Sequence, residues 1–267
     1  MSSLSKHNLR WNPACFLTFR SDHMDSGYYA AAAGLAAQTQ ALEVVAHNLA
    51  NLATSGYRGE RTTFRSLLAL RGGSDQNPMN RAINNFGALS GSHLDLSPGS
   101  LTPTGNPLDV AVSGSGFLAV QSPQGVVYTR DGGLHLTSAG QLVTGQGNAV
   151  LGELGPVILP AGNVAISSDG TISVEGAVVD KLRLAEFSPE TNLTALGNST
   201  YGAPPNSALP AADSTLQQGM IEGSNVSATQ AVVQLIAVQR NAEMMARALS
   251  ALDGQLNQIA AQDLPKV

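Results

Sequence analysis

The pattern in this chain nearest to a cofactor fingerprint is Gly114-Ser115-Gly116-Phe117-Leu118-Ala119, which fits the G-x-G-x-x-A turn of dinucleotide-binding proteins. That turn works only where it opens a helix whose N-terminal amides face a pyrophosphate. Here Phe117 to Gln121 reads as a strand, so the glycines are expected to form a hairpin turn with positive φ. Neither G-x-x-x-x-G-K-[ST] nor H-E-x-x-H occurs. His7, His23, His47, His93 and His135 have no ligand-like spacing, and Cys15 stands alone, so no disulfide framework and no zinc site is expected. A Ser/His/Asp or paired-carboxylate site assembled only by folding stays open. The expectation is a chain with no catalytic residues, no cofactor and no metal. One cluster of charge is basic: Arg58, Arg61, Arg65, Arg71 and Arg81 hold five of the fourteen positive charges. It reads either as a contact surface for an acidic partner subunit or as a solvated face beside a helix end.

The whole composition points away from nucleic acid and from membranes. The chain has 267 residues, enough for one large domain or two modest ones. Charged residues make up 12%, about half the roughly 25% of an average soluble protein, while Asn and Gln together number 32. A net charge of −5 and a pI near 5.4 leave no broad electrostatic footprint for nucleic acid. No apolar run approaches the roughly 18–20 residues of a membrane span. A cleaved secretory signal is not expected, because the apolar stretch Ala14 to Phe19 is short, follows Pro13 and is closed by Arg20. Export by a non-cleaving route stays open.

The elements that must position any site are two heptad helices around a β-rich middle. Tyr28, Ala31, Leu35, Gln38, Leu42, Val45, Leu49 and Leu52 alternate at spacings of three and four, a coiled-coil seam with one polar member. Asp25 or Ser26 is its expected N-cap, and Ser55-Gly56 its stop. Ala228, Ala231, Leu235, Val238, Ala242, Met245, Leu249, Leu252, Leu256 and Ile259 repeat the pattern, predicting a helix from about Asn225 to Ala260. Val232, Val233 and Ile236 widen its stripe, so more than one partner helix is expected. Between the helices, strands are predicted at Leu108–Val112, Phe117–Gln121, Val126–Thr129, Leu134–Thr137, Gln141–Thr144, Val157–Leu159, Val164–Ser167, Thr171–Val174 and Lys181–Phe187, punctuated by Asp131-Gly132, Ala139-Gly140 and Asp169-Gly170.

The expected class is α+β: long N- and C-terminal heptad helices forming a coiled coil, with a central antiparallel β-domain. Residues 1–23 form a non-native or disordered leader, with Met24 as the biological start. Residues 24–56 form the N-terminal helix, 57–106 an extended connector, 107–201 the β-domain, 202–222 a linker rich in Pro, Ala and Ser, and 223–262 the C-terminal helix. Neither seam can be covered by so modest a β-domain. Such helices pair with each other and with copies, and a heterologous interface that does not close builds a filament.

Three ordered segments resemble the rod, hook and hook-associated proteins of the bacterial flagellum. They are Ala46-His47-Asn48-Leu49-Ala50-Asn51-Leu52-Ala53-Thr54-Ser55-Gly56-Tyr57-Arg58, in which His47 stands where a second Asn is usual, then Pro107 to Val120 with Tyr128-Thr129-Arg130-Asp131-Gly132, and Gly219-Met220-Ile221-Glu222-Gly223-Ser224-Asn225-Val226. The resemblance implies an axial structural protein of the flagellar basal body, not an enzyme, exported through the flagellar type III apparatus without a cleaved signal and transmitting torque. Copies of itself and other rod subunits would be its partners. The implied assembly interface is Leu35, Leu42, Val45, Asn48, Leu49, Asn51, Leu52, Leu235, Val238, Met245, Leu249, Leu252, Leu256 and Ile259. Chain length and Val150 to Val157 before Pro160-Ala161-Gly162 resemble proximal rod proteins more than distal ones. The alternatives are a distal rod subunit, or a secreted β-domain adhesin or enzyme with helical oligomerisation arms.

Overall fold

The computed structural model of the chain describes residues 14–65, 88–188, 191–211 and 213–263. Two long helices, α1 (Ala14–Ala50) and α2 (Ala228–Asp263), lie at the two ends of a chain whose middle is all β. The residues fall into two compact units. One, mostly helical, contains residues 14–41, 64–65, 88–90 and 237–263; the other, the β-unit, contains 42–63 and 91–236, including the last turns of α1 and the first turns of α2.

Helix α1 forms because alanine dominates residues 30–41 and no proline interrupts residues 14–50. It begins upstream of the expected cap and passes unbroken through Asp25 and Ser26. A cap residue ends up inside a helix when the flanking sequence on both sides also favours helix, and Pro13 immediately before Ala14 is the kind of residue that suits a first turn. The most buried positions are Gly34, Ala37, Ala41, Val45 and Asn48, spaced 3, 4, 4, 3. Among the seam residues, Val45 is on this stripe, whereas Leu35, Gln38, Leu42, Leu49 and Leu52 are half-buried beside it. The small residues take the closest approach and the leucines flank it. The side chains of Tyr28 and Ala31 lie outside the described residues.

Helix α2 starts at Ala228, where the Ser227 carbonyl accepts the Ala231 amide at 2.9 Å. Ala231 and Met245 are buried, and Leu235, Val238, Ala242 and Leu249 half-buried, at spacings 4, 3, 4, 3, 4. Ala228, the first member of the expected stripe, is exposed. Val232, Val233, Ile236 and Met244 also face solvent.

The β-unit is antiparallel throughout its recorded pairings. Strands β1 (Glu60–Arg65) and β2 (Ala88–Leu94) pair with each other. Then come β3 (Leu101–Pro103), β4 (Val110–Ser113), β5 (Phe117–Ser122), β6 (Gly125–Thr129), β7 (Leu134–Leu136), β8 (Leu142–Thr144) and β9 (Ala149–Val150). A three-stranded sheet follows from β10 (Val164–Ile166), β11 (Thr171–Val174) and β12 (Ala177–Lys181). The Glu175-Gly176 turn between β11 and β12 has positive φ at both residues, as a two-residue hairpin that matches strand twist requires. The remaining strands are β13 (Leu184–Glu186), β14 (Thr194–Gly197), β15 (Thr200–Gly202), β16 (Leu209–Pro210), β17 (Thr215–Gln218) and β18 (Met220–Glu222). The largest sheet runs β14-β15-β6-β5-β9-β8-β7, with β13 also pairing β5.

Strand β5 explains the core. Its side chains alternate between faces, and both faces are covered. Leu118 and Val120 join Val110, Leu142, Val157 and Ile172 in one cluster. Phe117 and Ala119 join Tyr128, Phe187 and Tyr201 in the other, where Phe117 meets Phe187 and Tyr201 edge-on at 5.7 and 5.8 Å. Gly114 has φ +116 and Phe117 opens a strand, not a helix, so the Gly114–Ala119 fingerprint has no helix N-terminus to offer a pyrophosphate.

Three expectations need correction. Val157–Leu159 makes one isolated bridge, at Ile158, instead of a strand, since the prolines at 156 and 160 remove ladder donors on either side. Residues 202–222 are no linker: β16 pairs β13, β17 pairs β4 and β18 pairs β3. These strands are two to four residues long and their partners lie as far as 121 positions away, as for Glu222 and Leu101, so no local pattern announces them. Residues 57–106 likewise contain strand and core-facing positions and are not only a connector.

Candidate functional site

The three sequence segments that carry the resemblance meet at one buried joint inside the β-unit. After α1 the chain makes two turns, in which Asn51 Nδ2 donates to the His47 carbonyl and Asn51 Oδ1 accepts from Thr54 Oγ1. It then runs through Gly56, Tyr57, Arg58 and Gly59 to β1. Gly56 adopts φ +65, and a Cβ there would collide with the backbone of Arg130 and Asp131. Glycine is required by both conformation and space.

At the centre is Glu222, fully buried at the end of β18. Its Oε1 accepts from Arg58 Nη2 at 2.7 Å and from the Gly99 amide at 2.8 Å, and its Oε2 accepts from Arg130 Nη1 at 3.1 Å. Its main-chain carbonyl accepts the Gly56 amide at 2.8 Å. Gly99 must lack a side chain, because a Cβ would strike the Gly223 carbonyl.

The two arginines are not equivalent. Arg130 also donates to the carbonyls of Val112 and Gly114, at 3.1 and 2.6 Å, and its guanidinium sits 4.7 Å from the centroid of the Phe117 ring. Among the described residues the Arg58 guanidinium has Glu222 as its only acceptor, and Arg58 Nε and Nη1 have no partner. Burial pulls the Arg130 guanidinium down to about 10, with Arg58 adding like-charge repulsion and Glu222 opposing both. Tyr201 closes the joint from β15: its hydroxyl accepts the Arg58 amide at 2.8 Å and donates to the Gly56 carbonyl at 3.3 Å. Burial drives its pKa up to about 12, partly offset by the Arg58 hydrogen bond and charge.

Two carboxamides hold residues 57–60 from opposite ends of the chain. Asn48, in the last turn of α1, accepts from the Glu60 amide and the Tyr57 hydroxyl and donates to the Glu60 carbonyl, at 2.9, 3.1 and 2.8 Å. Asn225, just before α2, accepts the Gly59 amide at 2.8 Å and donates to the carbonyls of Asp95 and Ser97. Each amide is committed on both its oxygen and its nitrogen.

The expected interface residues therefore divide. Asn48 and Asn51 spend their polar atoms on this chain's own backbone and side chains, and do not stand free for a neighbour. Leu35, Leu42, Leu49, Leu52, Leu235, Val238 and Leu249 are half-buried, and Val45 and Met245 are buried. The side chains of Leu252, Leu256 and Ile259 lie outside the described residues. The basic cluster is not one surface either: Arg58 is fully buried, while Arg61 is largely exposed and pairs with Asp95. The side chain of Arg65, and Arg71 and Arg81, lie outside the described residues.

Sequence reasoning missed the ion triad because a charged residue is normally solvated. The available signal was context: Arg58 sits between Gly56 and Gly59, and Glu222 beside Gly223, in a chain with few charges. Nothing in the joint resembles a reacting centre, since its carboxylate is saturated and its hydroxyl is engaged with backbone. An open cleft of about 320 Å³ beside β13 and β16 is lined by Glu153, Asp169, Lys181 and Arg183, and its Ser214 hydroxyl is taken by the Gly116 amide.

Comparison with known proteins gives three matches to family models. "Flagella basal body rod protein" covers residues 29–58, "Flagellar hook protein FlgE/F/G D1 domain" residues 111–174, and "Flagellar basal body rod FlgEFG protein C-terminal" residues 217–262. Each matched segment contributes one member of the triad. The chain is 34% identical to the flagellar basal-body rod protein FlgF of Escherichia coli, over 88% of this chain and 98% of that one. FlgF of Salmonella typhimurium is 33% identical over the same shares. FlgG of Buchnera aphidicola is 30% identical, over 85% of this chain and 95% of the relative.

Proposed function

This chain belongs to the flagellar basal-body rod protein family, and from that premise we propose how its two kinds of structure divide the work of a rod subunit. It is a structural component of the basal body, not an enzyme. In our reading, the terminal helices form a coiled coil and carry polymerisation, while the β-unit fixes where they start and end.

The observation that carries this reading is apolar surface left uncovered on both helices. Leu35, Leu42, Leu49, Leu235, Val238 and Leu249 are half-buried, and Val232, Val233 and Ile236 are exposed in the single chain. Apolar area of this kind gains about 25 cal/mol per Å² on burial, and neighbouring copies or other rod subunits are the surfaces able to bury it. Leu252, Leu256 and Ile259 extend the same spacing and complete the interface. Torque then passes along an unbroken helical layer. The chain leaves the cell through the flagellar type III apparatus, without a cleaved signal.

Within the rod we place it in the proximal part, on the resemblance of its length and of Val150 to Gly162. Electron cryotomography of basal bodies in a strain lacking the gene tests this. A rod missing or truncated near its base, with no swimming, is expected. A truncation further out assigns the distal position instead, and complete rods with normal swimming overturn the reading.

A further inference from the structure

We propose that Glu222 is a positioning residue that makes closure of the arm after α1 conditional on arrival of the C-terminal segment. The geometry is asymmetric. One carboxylate serves two guanidiniums and one amide, from positions 58, 130 and 99, and the adjoining carbonyl serves Gly56. Without residue 222, the first 221 residues would bring two buried cations together with no anion among their recorded partners. The arm is then better left in water, where Arg58 is solvated. A desolvated unpaired charge is among the costliest features a fold can hold.

Arg130 is held independently of Glu222, through Val112, Gly114 and Phe117. Arg58 is not. Conditional closure therefore depends on the pair formed by Arg58 and Glu222, positions 164 residues apart in sequence. When Glu222 arrives, Asn225 arrives three residues later and clamps Gly59. The end of α1 and the start of α2 are thereby tied into the β-unit in one step.

This device predicts a pattern that simple loss of contacts does not. Amide hydrogen exchange on the full chain reads it at Gly56, Arg58, Gly59 and Gly99, with Leu118 and Val120 in β5 as internal controls. Glu222→Gln is expected to speed exchange at the four joint amides by roughly a hundredfold or more, with the two controls changing far less. Adding Arg58→Met removes the stranded cation, and protection at the joint is expected to recover at least about tenfold relative to the single variant, because an apolar replacement of a buried pair is tolerated where a broken pair is not. If Glu222→Gln prevents folding, recovery of folded protein in the double variant is the same readout. Exchange unchanged in Glu222→Gln, equal acceleration of joint and controls, or a double variant less protected than the single one overturns the proposal.

Discussion

The joint and the terminal helices solve opposite problems. In the joint the Glu222 carboxylate and the carboxamides of Asn48 and Asn225 have their partners within the chain, while Arg58 Nε and Nη1 and Arg130 Nε find none among the described residues, at the cost of burying two arginines around one glutamate. On the helices, half-buried leucines and exposed Val233 and Ile236 present apolar surface that no described residue covers fully. The lesson is where order comes from. A joint whose carboxylate and carboxamides are engaged by its own chain can hold its shape in a single subunit, whereas an apolar stripe open to solvent gains most from a neighbour.

The contrast breaks most visibly at Glu222. Glu222→Gln is expected to destabilise the closed joint by about 3–5 kcal/mol, the cost typical of removing one partner from a buried ion cluster, while the β5 core loses far less. Urea unfolding followed by near-ultraviolet circular dichroism, to which Tyr128 and Tyr201 contribute, measures it. A loss under about 1 kcal/mol would show that the triad is solvated and the joint loose.

Gly56→Ala comes next, at about 1–3 kcal/mol, because its φ of +65 favours glycine and a Cβ there meets the Arg130 backbone. The same unfolding curve reads it. A neutral outcome would mean that the turn relaxes without cost.

A third test uses pH. Burial raises the Tyr201 phenol in the fold to about 12 from an ordinary 10. The folded state thus favours the neutral phenol, so its contribution is complete below pH 10 and is lost as pH climbs from 10 through about 12. Absorbance of ionised tyrosine should show a group titrating near pH 12 that Tyr201→Phe abolishes, while Tyr57, also raised by burial, stays late in both proteins. Persistence of the step near pH 12 in that variant would assign it to another tyrosine.

The smallest effect on the β-unit belongs to Leu249→Asp. Its stability should stay within about 0.5 kcal/mol of the parent, as for surface substitutions elsewhere, while assembly stops.

How much of this was legible depended on whether the governing interactions are local. The run from β5 to β8 could be read, because period-two alternation and glycine turns are short-range signals. In α2 the structure buries or half-buries Ala231, Leu235, Val238, Ala242, Met245 and Leu249 at the spacing read from sequence. In α1 the deepest stripe lies on Gly34, Ala37 and Ala41, which a search for large apolar residues passes over. Strands β17 and β18 and the ion triad were hidden for the same reason: their partners lie far along the chain. Arg58 read as surface because the acid that buries it is 164 residues away.

The division of labour is tested most directly in cells whose only copy carries Leu249→Asp, with rods imaged by cryotomography and swimming scored, beside circular dichroism of the purified variant. The account predicts missing or truncated rods and no swimming, together with an unchanged β-unit. Complete rods and normal swimming, or a β-unit that has lost its fold, would contradict it.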